Sequence, residues 1–398
     1  MVKRIVALLI IVASAMPAVT PSSARPSLVE VTINTDFNLI FIPVQLEESK
    51  YWILMDTGAP YTVIEYDVIT ALNVEVDDLQ TLEQPGGKVT IGTVENLKFY
   101  VGDVPVELKN IKAAQIKKSG LDALMGKDVL GILGFDFINQ FTIEVDYQHN
   151  KMRLFDKNEY KYQGNGKVVP TTITDTRPLV KGSVLNADRE HEGTWLFDTG
   201  SLMFFGLQQS FVEKNEIDQE VELFNSVGFG FGGSTPAKVF KVDGFRFEDY
   251  VFENCLTGYS EDPVLASFPF DGVLGGEFFR RFTVVIDYER SRFVFEPNLS
   301  LYEPAGQDRS GMILIAKGEN FDRIEIVFVH ENSPAAIVGI KQGDELIKIN
   351  GMDASQITIP TIWSGFRGCP GKRYDLVIER NGELMDKKMY LDDYIGQE

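Results

Sequence analysis

The chain has 398 residues, enough at roughly 150 residues per domain for two or three domains with a sizeable core. Its 38 Lys and Arg against 58 Asp and Glu leave a net charge of −20, a field that repels nucleic acid and anionic membranes and argues against a polyanionic partner.

Residues 1–24 read as a cleaved signal peptide. Lys3 and Arg4 precede an apolar run over residues 5–12, and small residues (Ala13-Ser14-Ala15, Ser22-Ser23-Ala24) offer a cleavage site. The run is well short of the ~20 apolar residues that span a bilayer. No later stretch is apolar enough to do so, and the expectation is a secreted or periplasmic protein without stable membrane insertion.

Short strands are predicted over 53–55, 89–91, 97–101 and 142–146, separated by Gly and Asn turns, with counterparts further along. The counterparts come from an internal repeat: residues 131–154 align without gaps, at an offset of 141, to residues 272–295. Gly131, Leu133, Gly134, Phe137, Phe141, Thr142, Asp146 and Tyr147 recur as Gly272, Leu274, Gly275, Phe278, Phe282, Thr283, Asp287 and Tyr288. The repeat predicts two all-β lobes over 29–157 and 166–300, joined by the polar stretch 157–167.

Asp-Thr-Gly occurs at residues 56–58 and again at 198–200, separated by 142, almost the offset of the repeat. One such tripeptide is an ordinary turn. Two copies in duplicated lobes bring Asp56 and Asp198 face to face, where they cannot both ionise cheaply and must share a proton. Such a pair supplies a base and an acid together: one carboxylate takes a proton from water as it attacks an amide carbonyl, and the other protonates or polarises the carbonyl oxygen. The chemistry needs neither a metal nor another cofactor.

These residues resemble the aspartic peptidases. The stretch from Asp56 to Ile64 is similar to the retroviral type, while two lobes in one chain resemble the pepsin architecture. Ile132-Leu133-Gly134 and Val273-Leu274-Gly275 match the apolar-apolar-Gly element that crosses behind the catalytic turn in this family. By that resemblance Thr57 and Thr199 would hydrogen-bond across the lobe junction, and Gly58 and Gly200 would offer backbone N–H groups to the carboxylates. Ser201 would donate to Asp198, a service Ala59 cannot give Asp56, which predicts Asp198 as the more readily ionised partner. The covering hairpin is expected near residues 83–92, without the tyrosine found there in pepsin.

Other features carry less. Gly228 to Gly233 formally matches a dinucleotide motif, but turn and strand follow where a helix is needed, so a Gly-rich hairpin is expected. His149, His191 and His330 have no zinc-ligand spacing and read as solvated surface residues. Cys255 and Cys369 lie in different predicted domains and do not imply a disulfide.

In the C-terminal part Ser333 suits an N-cap, Pro334 the first helical position and Gly339 a left-handed stop. Asn350-Gly351 and Asn381-Gly382 suit tight turns between strands. Residues 305–395 resemble a bacterial-type PDZ domain through Ser333-Pro334-Ala335-Ala336 and the later Gly339 and Gly343-Asp344. That resemblance implies capture of a C-terminal peptide on the loop Ser310, Gly311 and Met312, beside a groove between residues 312–316 and a helix around 361–366.

The fold class expected is therefore mainly β: two duplicated acid-protease-like lobes followed by a PDZ-like domain. The function expected is an aspartic endopeptidase acting on peptide or unfolded protein substrates through Asp56 and Asp198, with the PDZ domain recruiting substrate or regulating access. Two alternatives stand beside it: a non-catalytic peptide-binding protein in which the PDZ domain is the active module, and a latent enzyme whose PDZ domain blocks the cleft until a partner docks.

Overall fold

A computed structural model describes residues 26–116, 120–304 and 306–396. The signal peptide expected over residues 1–24 lies outside them. Among the described residues no helix is long and apolar enough to cross a membrane.

The chain is mainly β, as expected. At its centre is a six-stranded sheet in the order Val29–Thr32, Lys151–Asp156, Phe141–Asp146, Phe282–Asp287, Arg292–Pro297 and Lys167–Pro170. The middle two strands come from the two copies of the repeat and pair antiparallel, with Glu144 opposite Val285, its own equivalent at the offset of 141. On either side Val145 pairs with Val284 and Ile143 with Ile286. Equivalents pairing in this exchanged way is the register that a local twofold axis imposes. Phe141–Asp146 is buried at every position, with Phe141, Ile143 and Val145 alternating with Thr142, Glu144 and Asp146, so a one-residue slip would turn the polar set to where the apolar one packs.

On each side of this sheet the strands follow one plan. In the first lobe the order is Ile40–Leu46, Ser49–Met55, Gly131–Leu133, Val63–Glu65, Val104–Ala114, Gly87–Val101, Asp77–Gln84. The second repeats it with Arg177–Asn186, Arg189–Phe197, Gly272–Leu274, Phe205–Leu207, Tyr250–Ser260, Gly233–Phe247, Phe224–Gly230, and adds Thr172–Thr174 at the edge. The strands predicted over 89–91 and 97–101 form one strand, Gly87–Val101. Pairing with Val104–Ala114, from Ile91 opposite Ala114 to Val101 opposite Val104, carries it through Gly92 and Asn96. The polar stretch 157–167 is packed: Tyr160 is buried against Phe155, and Tyr162 donates to Glu296 at 2.5 Å.

The C-terminal domain is a sheet with Met312–Lys317 at one edge and a helix, Ile359–Phe366, beside it. Ser333 caps the helix Pro334–Ile337 by accepting from Ala336 N–H, and Gly339 leaves it at φ +75°. Asn381-Gly382 turns between Arg373–Arg380 and Glu383–Tyr390 with both φ positive.

Glu277 ties the three parts together. Its carboxylate accepts from Arg280 and Arg281 of the second lobe (2.7 and 3.1 Å), Asn38 of the first (2.8 Å) and Arg367 of the C-terminal domain (2.7 Å). The Glu277 and Arg281 side chains are only 4% and 1% exposed. Burial alone would raise the Glu277 carboxyl; the guanidiniums of Arg367, Arg280 and Arg281 outweigh it and hold the carboxyl below the usual range. Replacing Glu277 by Ala leaves Arg281 and Arg367 without their carboxylate partner, with Arg280 keeping only Glu303, an expected loss of about 3–5 kcal/mol in urea unfolding. A depressed carboxyl contributes stability that is present above its unfolded-state value and lost as pH falls through the folded one. The wild type should therefore lose this contribution in acid, and the gap to Glu277→Ala should narrow there.

Candidate active site

Asp56 and Asp198 each leave the buried end of a strand. Behind each, the apolar-apolar-Gly strand runs parallel, with Met55 opposite Leu133 and Phe197 opposite Leu274. The Asp56 N–H donates to Leu133 O (3.0 Å) and the Asp198 N–H to Leu274 O (2.9 Å), so both turns start from the same hydrogen bond.

The threonines then lock the turns together. Thr57 Oγ1 donates to Phe197 O (2.6 Å) and accepts from the Thr199 N–H (3.0 Å). Reciprocally, Thr199 Oγ1 donates to Met55 O (2.8 Å) and accepts from the Thr57 N–H (3.0 Å). Both threonines are buried. Buried with the threonines, these four bonds pair the N–H groups of Thr57 and Thr199 and the carbonyls of Met55 and Phe197 across the junction, which restrains the separation of the aspartates.

The two carboxyl groups approach each other across Gly58, where an added methyl group would meet Asp198 Oδ1 at 2.9 Å and Asp56 Oδ1 at 3.1 Å. Gly200 leaves room in the same way: a methyl group there would sit 2.5 Å from the Asp56 carboxyl carbon. Asp56 Oδ1 accepts from the Gly58 N–H (2.7 Å) and the Ala59 N–H (3.2 Å), whereas Asp198 Oδ1 accepts from the Gly200 N–H alone (3.0 Å). Burial raises both carboxyls, and the neighbouring Asp56 charge pushes Asp198 further, well above the usual range. Asp56 thus receives one backbone N–H more than Asp198.

The bond expected from Ser201 is not made. Among the described residues no hydrogen bond joins the Ser201 hydroxyl to the Asp198 carboxyl; Ser201 Oγ lies instead against Gly275, where an added methyl would meet it at 2.9 Å. The extra donor goes instead to Asp56, from the backbone N–H of Ala59, which donates whatever side chain that residue carries.

Arg177, at the start of Arg177–Asn186, was not singled out in the sequence. Its Nε donates to Gly58 O (3.2 Å), its guanidinium lies 5.0 Å from the centre of the Phe268 ring, and its charge favours the ionised form of both aspartates. It lies 21 residues before Asp198, and no local motif marks it.

Two hairpins join the lobes a second time. One turns at Pro85-Gly86 between Asp77–Gln84 and Gly87–Val101; the other turns through Phe231-Gly232 between Phe224–Gly230 and Gly233–Phe247. At their tips the Gly232 N–H donates to Pro85 O (2.7 Å), and the Gly86 N–H to Asp262 Oδ2 (3.0 Å). Phe231 packs with Val63, Val89, Ile91 and Ile116 of the first lobe, while Phe229 is exposed.

Two expectations need correction. The loop N–H groups assigned to a ligand carboxylate are already engaged: Ser310 N–H, Gly311 N–H and Ser310 Oγ all donate to Asp308 Oδ1 (2.9, 2.8 and 2.8 Å), and Met312 N–H donates to Ser310 Oγ (3.1 Å). An internal carboxylate stands where the chain end would dock. His191 and His330 are buried, not solvated, and burial lowers His330 to about 4. His149 alone is on the surface, bonded through Nδ1 to Asp146 (2.8 Å). Cys255 and Cys369 are both free, the first buried and the second exposed.

Thr57→Ala would strand Phe197 C=O and Thr199 N–H in the junction, at about 1–3 kcal/mol for each group. Urea unfolding should show that loss, and Thr57→Ser, which keeps the hydroxyl, should recover most of it.

Comparison with protein families finds matches over the first lobe and the C-terminal domain. Residues 42–137, which contain Asp56-Thr57-Gly58 and Ile132-Leu133-Gly134, match the family model described as aspartyl protease. Residues 300–372 match that of the PDZ domain. No curated protein matches the chain. The chain carries an aspartyl protease-like domain and a C-terminal PDZ domain.

Proposed function

We propose that the protein is an aspartic endopeptidase that cleaves extended or unfolded polypeptide through Asp56 and Asp198. The observation that carries this reading is the close approach, across Gly58 and Gly200, of two carboxyl groups contributed by different lobes and held there by the reciprocal Thr57 and Thr199 bonds. A purely structural role does not account for two acids crowded together at the cost of burying them.

In this reading Asp56, which accepts more backbone hydrogen bonds, is the ionised base that takes a proton from the attacking water. Asp198 holds the shared proton and gives it to the carbonyl oxygen, so the tetrahedral intermediate forms without charge building up on that oxygen. Arg177 favours the ionised forms and keeps the pair usable at lower pH than burial alone would allow. Export directed by residues 1–24 belongs to the same proposal and is supported by that stretch alone. The internal Asp308 carboxylate speaks for regulation by the PDZ domain rather than recruitment of chain ends.

Cleavage of unfolded casein, followed over a pH series with and without an aspartic-peptidase inhibitor, tests the proposal. Asp56→Asn and Asp198→Asn should each lower the rate by about 10²- to 10⁴-fold. A wild type that cleaves nothing, or an Asp198→Asn variant as active as wild type, contradicts it. Activity needs one proton on the pair and so should fall both where Asp56 gains a proton and where Asp198 loses one. Arg177→Ala removes a cation that favours ionisation, and both limbs of the profile should move to higher pH.

A further inference from the structure

The groove of the PDZ domain, between the edge strand Met312–Lys317 and helix Ile359–Phe366, is filled by a piece of the first lobe. Helix Leu121–Met125 and the residues after it enter it. Gly126 is wedged between the walls: a methyl group there would meet Ile359 Cγ1 at 3.1 Å on the helix and Ala316 Cβ at 3.8 Å on the strand. Met125 and Val129 are buried in one apolar cluster with Met312, Leu314, Ala316 and Ile362. Lys127 fastens the exit of the segment, bonding Asn34 and Asp36 (3.0 Å each) and lying 3.7 Å above the Phe41 ring. Apolar walls and a loop whose donors are spent on Asp308 suit an internal apolar stretch, not a chain end.

Leu121 gives this occupancy a consequence. It packs against the groove cluster and also against the cluster of Val63, Val89, Ile91, Ala114 and Ile116, where Phe231 from the tip of the second hairpin rests. Val89 and Ile91 belong to the first hairpin, whose tip accepts the Gly232 N–H. The PDZ groove and the contact between the two hairpins thus share one side chain. Further along, the same segment runs into Gly131–Leu133, the strand behind Asp56.

We infer that residues 121–129 are the occupant this groove is shaped for, and that their docking latches the two hairpins against each other. Resting on the peptidase reading, this makes the PDZ domain a latch that acts through the first lobe rather than a plug in the cleft. An apolar stretch of unfolded polypeptide that competes for the groove releases Leu121, loosens the packing around Ile91 and Phe231, and lets the tips part. Competition shifts the equilibrium only by the difference in its affinity for the two states, so the stretch must resemble residues 121–129 in apolar spacing.

The test uses the full chain. In the Asp56→Asn background, which prevents self-cleavage, amide hydrogen exchange is followed over residues 83–93 and 228–236. Leu121→Ala should speed exchange there about tenfold, a size typical of coupling between sites, while the PDZ sheet keeps its protection. A synthetic peptide of residues 120–130 added to the unsubstituted Asp56→Asn chain should do the same and should speed exchange over the chain's own residues 121–129, which it displaces from the groove. Unchanged hairpin exchange in Leu121→Ala overturns the latch, as does a peptide that frees residues 121–129 without affecting the hairpins. If Leu121→Ala raises exchange everywhere, the peptide arm decides. With Asp56 intact, Leu121→Ala should raise the casein cleavage rate. Hairpins that loosen in a protein that never cleaves leave the latch standing and remove the peptidase; cleavage that Leu121→Ala leaves untouched, with unchanged exchange, does the reverse.

Discussion

Two acids that repel each other when both are charged stay together only if the chain around them cannot give way. Here the restraint is the exchange of hydrogen bonds between Thr57 and Thr199, each hydroxyl serving the backbone of the opposite lobe. Those hydroxyls are held in register by the parallel strands behind them and by the central sheet in which Glu144 faces Val285. If the central sheet shifted by one residue, the threonines would lose their partners and the carboxyls their contact. The fold is in this sense a device for fixing one short distance.

Around that twofold frame the halves have diverged, and the divergence gives the molecule its polarity. In the first lobe Thr62 Oγ1 and N–H bind Asp136. The equivalents at the repeat offset are Phe204 and Glu277. Phe204 is buried among aromatic rings with the Arg281 guanidinium 5.2 Å from its centre. Deprived of a threonine partner, the acid at position 277 reaches outward to Arg280, Arg281 and Arg367 and becomes the anchor of the PDZ domain. Arg177 is another asymmetry. Strand pairing matches it to Leu39, an apolar residue buried in the cluster that faces the PDZ domain.

Much of this was readable in the sequence, for a physical reason. The repeat is clearest where its two copies pair with each other, because residues buried on both faces of a central sheet have little freedom to change. Turn residues were readable where backbone geometry demands them, as at Asn381-Gly382 and at Ser333. The rest was hidden because it depends on side chains meeting from distant parts of the chain. Nothing near Arg177 announces that it will lie against Gly58, and the polar neighbours of His191 and His330 gave no sign of burial. Ser201 misled because a hydroxyl at the right position was credited with a bond that the Ala59 backbone makes for the other aspartate. Glu277 had a signal that was passed over: an acid aligned with Asp136 while the threonine it should hold had become Phe204. Asp308, two residues before Ser310, was likewise a visible turn signal.

The claim at the centre is that Asp56 and Asp198 share one proton, held on Asp198. Carbon-13 NMR of the aspartate carboxyl groups in the wild-type chain, assigned with Asp56→Asn and Asp198→Asn, tests it directly. The account predicts two coupled transitions, with Asp198 still protonated at a pH where exposed aspartates have ionised. Two independent titrations in the ordinary carboxylate range, or a proton that resides on Asp56, would contradict it.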